Sequence, residues 1–283
     1  MLGELIELAP EGFEQVDGDG FVEFALYGAP GELPELADGP ARIGGTLVHV
    51  SASPVGDDWA ERWREFHRPV QIGRIRVRAP WHEPADRGQG RDAIDVVIDP
   101  GQAFGTGAHP TTRLCLKLLQ EVTQGAHESG AAGNADDIRI TCGTGSLAPL
   151  ADLGCGSGVL AIAAAKLGFG PIVAVDHEQA AVEATLANAR ANGVTLERVD
   201  RYDLRAGPAP VEPITVANLV RPLLLRVAEL WGRGGAVPEV PEALIVSGLL
   251  EGEEDEVAAA FASLRERRRQ RLQGWSALLL TPP

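Results

Sequence analysis

Apolar and polar positions alternate in FVEFALYG (21–28) and again in GTLVHVSA (45–52), with Pro- and Gly-rich turns between them, which predicts strands at the front of the chain. In DDWAERWREFHRPV the period changes. Trp59, Trp63 and Phe66 fall at helical spacing, so an aromatic helical face is predicted, closed by Pro69. These elements predict a small α+β domain over residues 1–78. The following stretch, APWHEPADRGQGRDA, is polar and rich in Gly and Pro and predicts a linker over 79–93.

From Ile94 strands and helices alternate: IDVVI, helix TTRLCLKLLQEV, LADL, helix GVLAIAAAKLG, IVAVD, helix EQAAVEATLANARANG. Then come LERVD, ITVAN, helix PLLLRVAEL, ALIVSG, helix EEDEVAAAFASLR and a closing pair around RRQRLQ and WSALLLT. Short apolar strands between helices predict an α/β fold over 94–283, with a doubly wound, mostly parallel sheet whose ligand sits beyond the strands' carboxyl ends. Residues 123–149 are too long and too rich in small residues for an ordinary connection and predict a flexible surface insertion. Its CGTGS imitates a glycine loop but lacks a flanking strand and helix, and is assigned no ligand.

Composition narrows the classes. No apolar run approaches the ~20 residues of a membrane span, and the acidic start is unlike a signal peptide, so a cytoplasmic protein without membrane attachment is expected. Cys115, Cys142 and Cys155 form no C-x-x-C pair, which argues against zinc or a disulfide framework; reduced thiols and no metal are expected. A net charge of −15 disfavours direct nucleic-acid binding and favours a basic protein partner. The run RERRRQR (265–271) opposes that trend locally and is predicted as a solvated helix end entering an edge strand, with an interaction patch as the alternative.

The chemistry concentrates in DLGCGSGVLAIAAAKLG (152–168). Asp152, Gly154, Gly156 and Gly158 form D-x-G-x-G-x-G between a strand and a helix. Bare backbone there permits a sharp turn and close ligand approach beside the positive end of a helix. Asp176, ending the next strand, is placed to accept hydrogen bonds from ribose hydroxyls of an adenosine-containing cofactor. A dinucleotide fingerprint would need Gly or Ala at 159; Val159 points instead to S-adenosylmethionine, while a purely structural turn is the alternative reading. Phe104, on the bare loop before helix TTRLCLKLLQEV, is predicted to line the cofactor pocket.

The segments DPGQAFGTGAHPTTRLCLKLL, WREFHRPVQIGRIRVRAPW, DLGCGSGVLAIAAAKLG, VANL and ALIVSGLLEGEEDEV, in that family's order from about Asp57 onward, closely resemble the PrmA family of methyltransferases acting on ribosomal protein L11. The resemblance implies a Rossmann-like seven-stranded sheet with an antiparallel last strand, a small N-terminal recognition domain, shorter in front here, and S-adenosylmethionine as cofactor. It also implies cofactor contacts at Thr112, Gly154, Asp176 and Asn218, and protein-lysine methylation of a ribosomal protein.

In-line methyl transfer needs a positioned neutral amine more than a strong base. Asn218, at the end of ITVAN, is the candidate catalytic residue, able to accept from an amine N–H without titrating; a turn-forming Asn is the alternative. Thr112 can cap its helix as well as touch cofactor. His109 is a weaker candidate base with a structural role as the alternative, and Asp200 or Asp203 could reach the adenine amino group. Two rival functions stay open: the same fold acting on another protein or a small molecule, and a non-catalytic cofactor-binding ribosome-assembly protein.

Overall fold

The computed structural model describes residues 14–18, 21–26, 38–43, 45–51, 67–84, 93–100, 107–128, 147–233 and 240–283. The chain divides into two compact units, Met1–Phe66 and His67–Pro283. In the first, β1 (Glu14–Gly18) pairs antiparallel with β2 (Phe21–Ala25), and β3 (Gly39–Ile43) with β4 (Thr46–Val50). The aromatic face of Trp59, Trp63 and Phe66 lies outside the described residues.

The second unit opens with a three-stranded sheet of β5 (Val70–Ile72), β6 (Ile75–Arg78) and β7 (Ile94–Val97), β6 lying antiparallel to β5 and parallel to β7. This corrects two expectations. The boundary falls after Phe66, not across a 79–93 linker, and IDVVI belongs to this small sheet, not to the large one. Burial explains both: Ile75, Val77, Val96 and Ile98 are sealed in the larger unit, and Arg78 Nε meets Asp95 Oδ2 at 2.6 Å across the β6–β7 pair.

The large sheet follows from α1 (Pro110–Glu128), β8 (Leu150–Leu153), α2 (Val159–Leu167), β9 (Ile172–Asp176), α3 (Gln179–Ala191), β10 (Arg198–Arg201) and β11 (Ile214–Asn218). It is completed by α4 (Arg221–Arg233), β12 (Ala243–Leu250), α5 (Glu254–Ala260), β13 (Arg265–Leu272) and β14 (Trp275–Thr281). Its seven strands run in the order β10-β9-β8-β11-β12-β14-β13, with β14 antiparallel to both neighbours and β8 to β12 parallel, the Rossmann-like α/β arrangement expected. No helix among the described residues is long and apolar enough to cross a membrane.

Three boundaries move. Helix α1 continues to Glu128, and Leu147 is already in the core, bridging Phe169 and donating its N–H to Gly168 at 2.9 Å. The expected insertion of 123–149 thus loses both ends, and 129–146 lies outside the described residues. Helix α5 ends at Ala260, because Phe261 turns inward against Trp231 (ring centroids 5.6 Å apart) and Leu264 buries behind it. RERRRQR is consequently all strand, at the edge of the sheet, rather than a helix end.

Alternation along the strands sorts the sheet's two faces. Ala151, Leu153, Val173, Val175, Ala217, Leu244 and Val246 join one apolar cluster with Leu224 of α4 and Val257 of α5. Asp152, Asp176, Asn218 and Ser247, each of the other parity, share the opposite face. Strand order reverses between β8 and β11, and a crevice at such a switch point, beyond the carboxyl ends, is where a doubly wound sheet places its ligand.

Candidate active site

The glycine loop leaves β8 at that reversal. Gly154, Gly156 and Gly158 have φ of 75°, 53° and 79°, a left-handed series that side chains disfavour. At Gly154 the reason is also spatial, since a Cβ would stand 2.4 Å from Leu219 Cδ2. The N–H groups of Gly154 and Cys155 both bond the Val175 carbonyl, at 2.8 and 3.0 Å, tying the turn to β9.

Two carboxylates support the loop in different ways. Asp152 is 1% exposed, and its Oδ2 accepts the Ala161 N–H at 3.0 Å, capping the first turn of α2 where Gly158 has no side chain to do so. It sits at the base of the loop, with its Oδ1 buried and without a partner. Burial, reinforced by the Asp176 charge and only partly opposed by the Ala161 N–H, pushes its pKa up to about 7. Asp176 ends β9 closer to the surface, accepting the Gly156 N–H at 2.9 Å and the Glu178 N–H at 3.1 Å.

Helix α3 supplies residues that the sequence reasoning missed. Thr185 Oγ1 donates to the Gly156 carbonyl at 3.0 Å, and Asn188 Nδ2 donates to that of Ser157 at 2.9 Å. On its other side Asn188 Oδ1 accepts the Asp99 N–H at 3.0 Å, while Asn192 bonds both polar groups of Val97, at 2.8 and 2.6 Å. One polar stripe thus joins the glycine loop to the end of β7, where the PGQAFGTGAHPTT segment begins. Its signal was present in the sequence: polar residues at 185, 188 and 192 share one helical face with the buried Ala181 and Val182.

Asn218 and Thr112 lie side by side. Asn218 Nδ2 lies 3.5 Å from Thr112 Oγ1, joining the end of β11 to the first turn of α1. Chain packing fixes Asn218 through its neighbour: Leu219 donates to the Ser247 carbonyl at 3.0 Å and passes so near Gly248 that a Cβ there would meet the Leu219 carbonyl oxygen at 2.3 Å. Ser247, fully buried, donates to the Ser276 carbonyl at 3.0 Å and lies 3.4 Å from that of Thr111.

His109 has the structural role. Its Nδ1 meets Thr111 Oγ1 at 2.8 Å and the Thr111 N–H at 3.4 Å; a backbone N–H can only donate, so Nδ1 is the acceptor and caps α1. Its ring packs edge-on against Trp275, and burial lowers its pKa to about 4, far from that of a base working near neutrality. Asp200 pairs with Arg198 at 2.8 Å, and Asp203 is held by the Arg205 side chain and N–H. Neither carboxylate is brought to the glycine loop by a contact seen here. Cys115 and Cys155 are buried thiols, driven well upward by desolvation and by the Asp152 charge, hence un-ionised. Phe104 lies outside the described residues.

The crevice thus gathers a carboxylate, an amide, a hydroxyl and a bare loop. That donor set suits a nucleoside cofactor whose ribose needs an acceptor, with an amide beside it to orient an amine, and it does so without proton-transfer machinery.

Comparison with known proteins bears on the same region. A family model described as ribosomal protein L11 methyltransferase (PrmA) matches residues 42–281, beginning in β3 and so earlier than Asp57. A ribosomal protein L11 methyltransferase of Geobacter sp. (strain M21) is 38% identical over 246 residues, covering 83% of this chain and 72% of its own length. That of Bordetella parapertussis is 39% identical over 247 residues, covering 82% and 70%. The crystal structure of a ribosomal protein L11 methylase from Lactobacillus delbrueckii subsp. bulgaricus superposes with a TM-score of 0.56 at 24% identity, over 76% of this chain and 98% of that one, a likeness of fold.

Proposed function

The chain belongs to the ribosomal protein L11 methyltransferase (PrmA) family, and from that premise we propose that it methylates lysine amines of ribosomal protein L11, with Asn218 orienting the incoming amine. S-adenosylmethionine supplies an activated methyl on a sulfonium. Asp176 would hold the ribose hydroxyls, Gly154, Gly156 and Gly158 would admit the cofactor to the backbone, and Thr112 and Asn218 would line its reacting end. A net charge of −15 suits a basic ribosomal protein in the cytoplasm and disfavours direct nucleic-acid binding.

The observation that supports this reading best is the convergence of Asp176, the glycine loop and the Asn218–Thr112 pair at the sheet's switch point. A protein lysine is mostly protonated near neutrality, so the site favours its free base by desolvation and by proximity to the sulfonium. An Asn carbonyl can accept from that amine while staying neutral itself. The test is incubation with labelled cofactor and purified ribosomal proteins, followed by mass spectrometry. Label on L11 lysines is expected, whereas label only on other proteins or small molecules, or on nothing, overturns the assignment.

A further inference from the structure

Cofactor binding leaves the RERRRQR strand and the acidic helix beside it without a role, yet one residue from each leads back to the crevice. Glu254, the first residue of α5, is 1% exposed and still ionised. Burial alone would raise its pKa, but its own N–H, Ser276 Oγ, Arg271 and the Gly252 N–H hold it down to about 2. The bonds are short. Its Oε1 accepts from Arg271 Nε at 2.7 Å and from Ser276 Oγ at 2.8 Å, and its Oε2 accepts the Gly252 N–H at 2.6 Å. A carboxylate can only accept, so the Ser276 hydroxyl has to donate and its direction is fixed.

Ser276 carries that anchor through the sheet. Its hydroxyl goes to α5, while its carbonyl accepts from Ser247 Oγ at 3.0 Å. This second bond falls at a β-bulge, where the β12–β14 register runs Ser247↔Ala277 and then Leu249↔Ser276, with Gly248 the extra residue. Bulges interrupt the backbone ladder, and here a side chain ties the two strands instead. Ser247 stands opposite Asn218 in the β11–β12 register and its carbonyl accepts the Leu219 N–H at 3.0 Å, while its hydroxyl lies 3.4 Å from the Thr111 carbonyl. Both members of the Asn218–Thr112 pair are therefore chain neighbours of a group that Ser247 touches.

We propose that Glu254 is a positioning residue, acting through Ser276 and Ser247 to hold Asn218 and Thr112 where the chemistry takes place. Arg271 supplies the counter-charge that a buried carboxylate needs, which gives one arginine of the edge strand a task inside the molecule. The inference rests on the methyl-transfer reading above, and two measurements keep the failure of one apart from the failure of the other.

The first measurement is steady-state methylation of L11 by the full-length protein. Ser276→Ala and Glu254→Gln should each lower kcat about tenfold, with KM for cofactor and for L11 within about twofold, because the pair shifts while the ribose and loop contacts stay. Ser247→Ala should act alike, and joined to Glu254→Gln it should cost no more than the worse single change, as expected of residues in one path. Phe261→Leu, which loosens α5 outside this path, should leave kcat intact and serves as the control for lost stability. The second measurement needs no substrate: exchange of the Leu219 amide hydrogen should quicken about tenfold in Ser276→Ala and Glu254→Gln, with the Gly154 and Cys155 amides unchanged. Absence of label on L11 from the unaltered protein, with the exchange pattern as expected, overturns the methylation reading and upholds the hold of Glu254 on Asn218. Unchanged Leu219 exchange, full additivity of the double variant, or kcat losses no larger than that of Phe261→Leu overturns the proposal.

Discussion

The two walls of the crevice are built to different tolerances. On the α3 side, Thr185, Asn188 and Asn192 tie the glycine loop and the end of β7 together with bonds of 2.6 to 3.0 Å. On the α1 side a single long contact of 3.5 Å joins Asn218 to Thr112, and Asn218 depends for its place on how Leu219 threads past Gly154 and Gly248. One wall is set by polar bonds, the other by steric fit. Loss of one bond from the first should grade its effect, whereas an added atom on the second should act abruptly.

The largest effect should come from Gly248→Ala. The substitution places a Cβ 2.3 Å from a backbone oxygen at φ of 87°, so both overpacking and left-handed strain apply, and a loss of about 3 kcal/mol or more is expected in urea unfolding. An unfolding midpoint equal to that of the unaltered protein would show that the second wall yields.

Next in size is the buried carboxylate. Because the folded pKa of Asp152 lies near 7, above its ordinary 3.8, the folded state holds a proton that the unfolded chain releases. Its contribution to stability is present below about pH 4 and is lost as pH rises towards 7, at up to about 1.4 kcal/mol per pH unit. Asp152→Asn should flatten that part of the stability profile; an unchanged slope between pH 4.5 and 6.5 would mean that the carboxylate is ionised throughout.

Asp176→Ala should weaken cofactor binding at least tenfold by calorimetry, since hydrogen bonds to a charged acceptor contribute ~1.5–3 kcal/mol each and tenfold in affinity is about 1.4 kcal/mol. The smallest effect is expected for Asn188→Ala, about fivefold in KM for the cofactor with little change in kcat, because Thr185 and Asn192 keep the rest of the stripe. A kcat loss exceeding the KM change would move Asn188 from cofactor placement to the chemical step.

How much of this was legible in sequence depended on whether a residue's role is local. The glycine loop, Asp176 and the alternation of strands and helices are local patterns, and each stands where the spacing puts it. Asn188 was missed because a helix position shows which face a residue occupies but not that a distant strand end awaits it. The pairing of β7 with β6 escaped because a short apolar strand carries no mark of its partner, and the end of α5 because periodicity cannot tell a buried Phe261 within a helix from one that closes it.

The two edges of the large sheet have a consequence for the protein's behaviour at high concentration. β10 is Arg-Val-Asp-Arg and β13 is Arg-Glu-Arg-Arg-Arg-Gln-Arg-Leu, with Arg269 held by both Asp255 and Glu266. Any strand from another molecule that tried to extend the sheet would have to approach these crowded charges and strip water from them. Edges of this kind are how open sheets resist edge-to-edge aggregation, so the charge on these two strands guards the flanks that the parallel core leaves open.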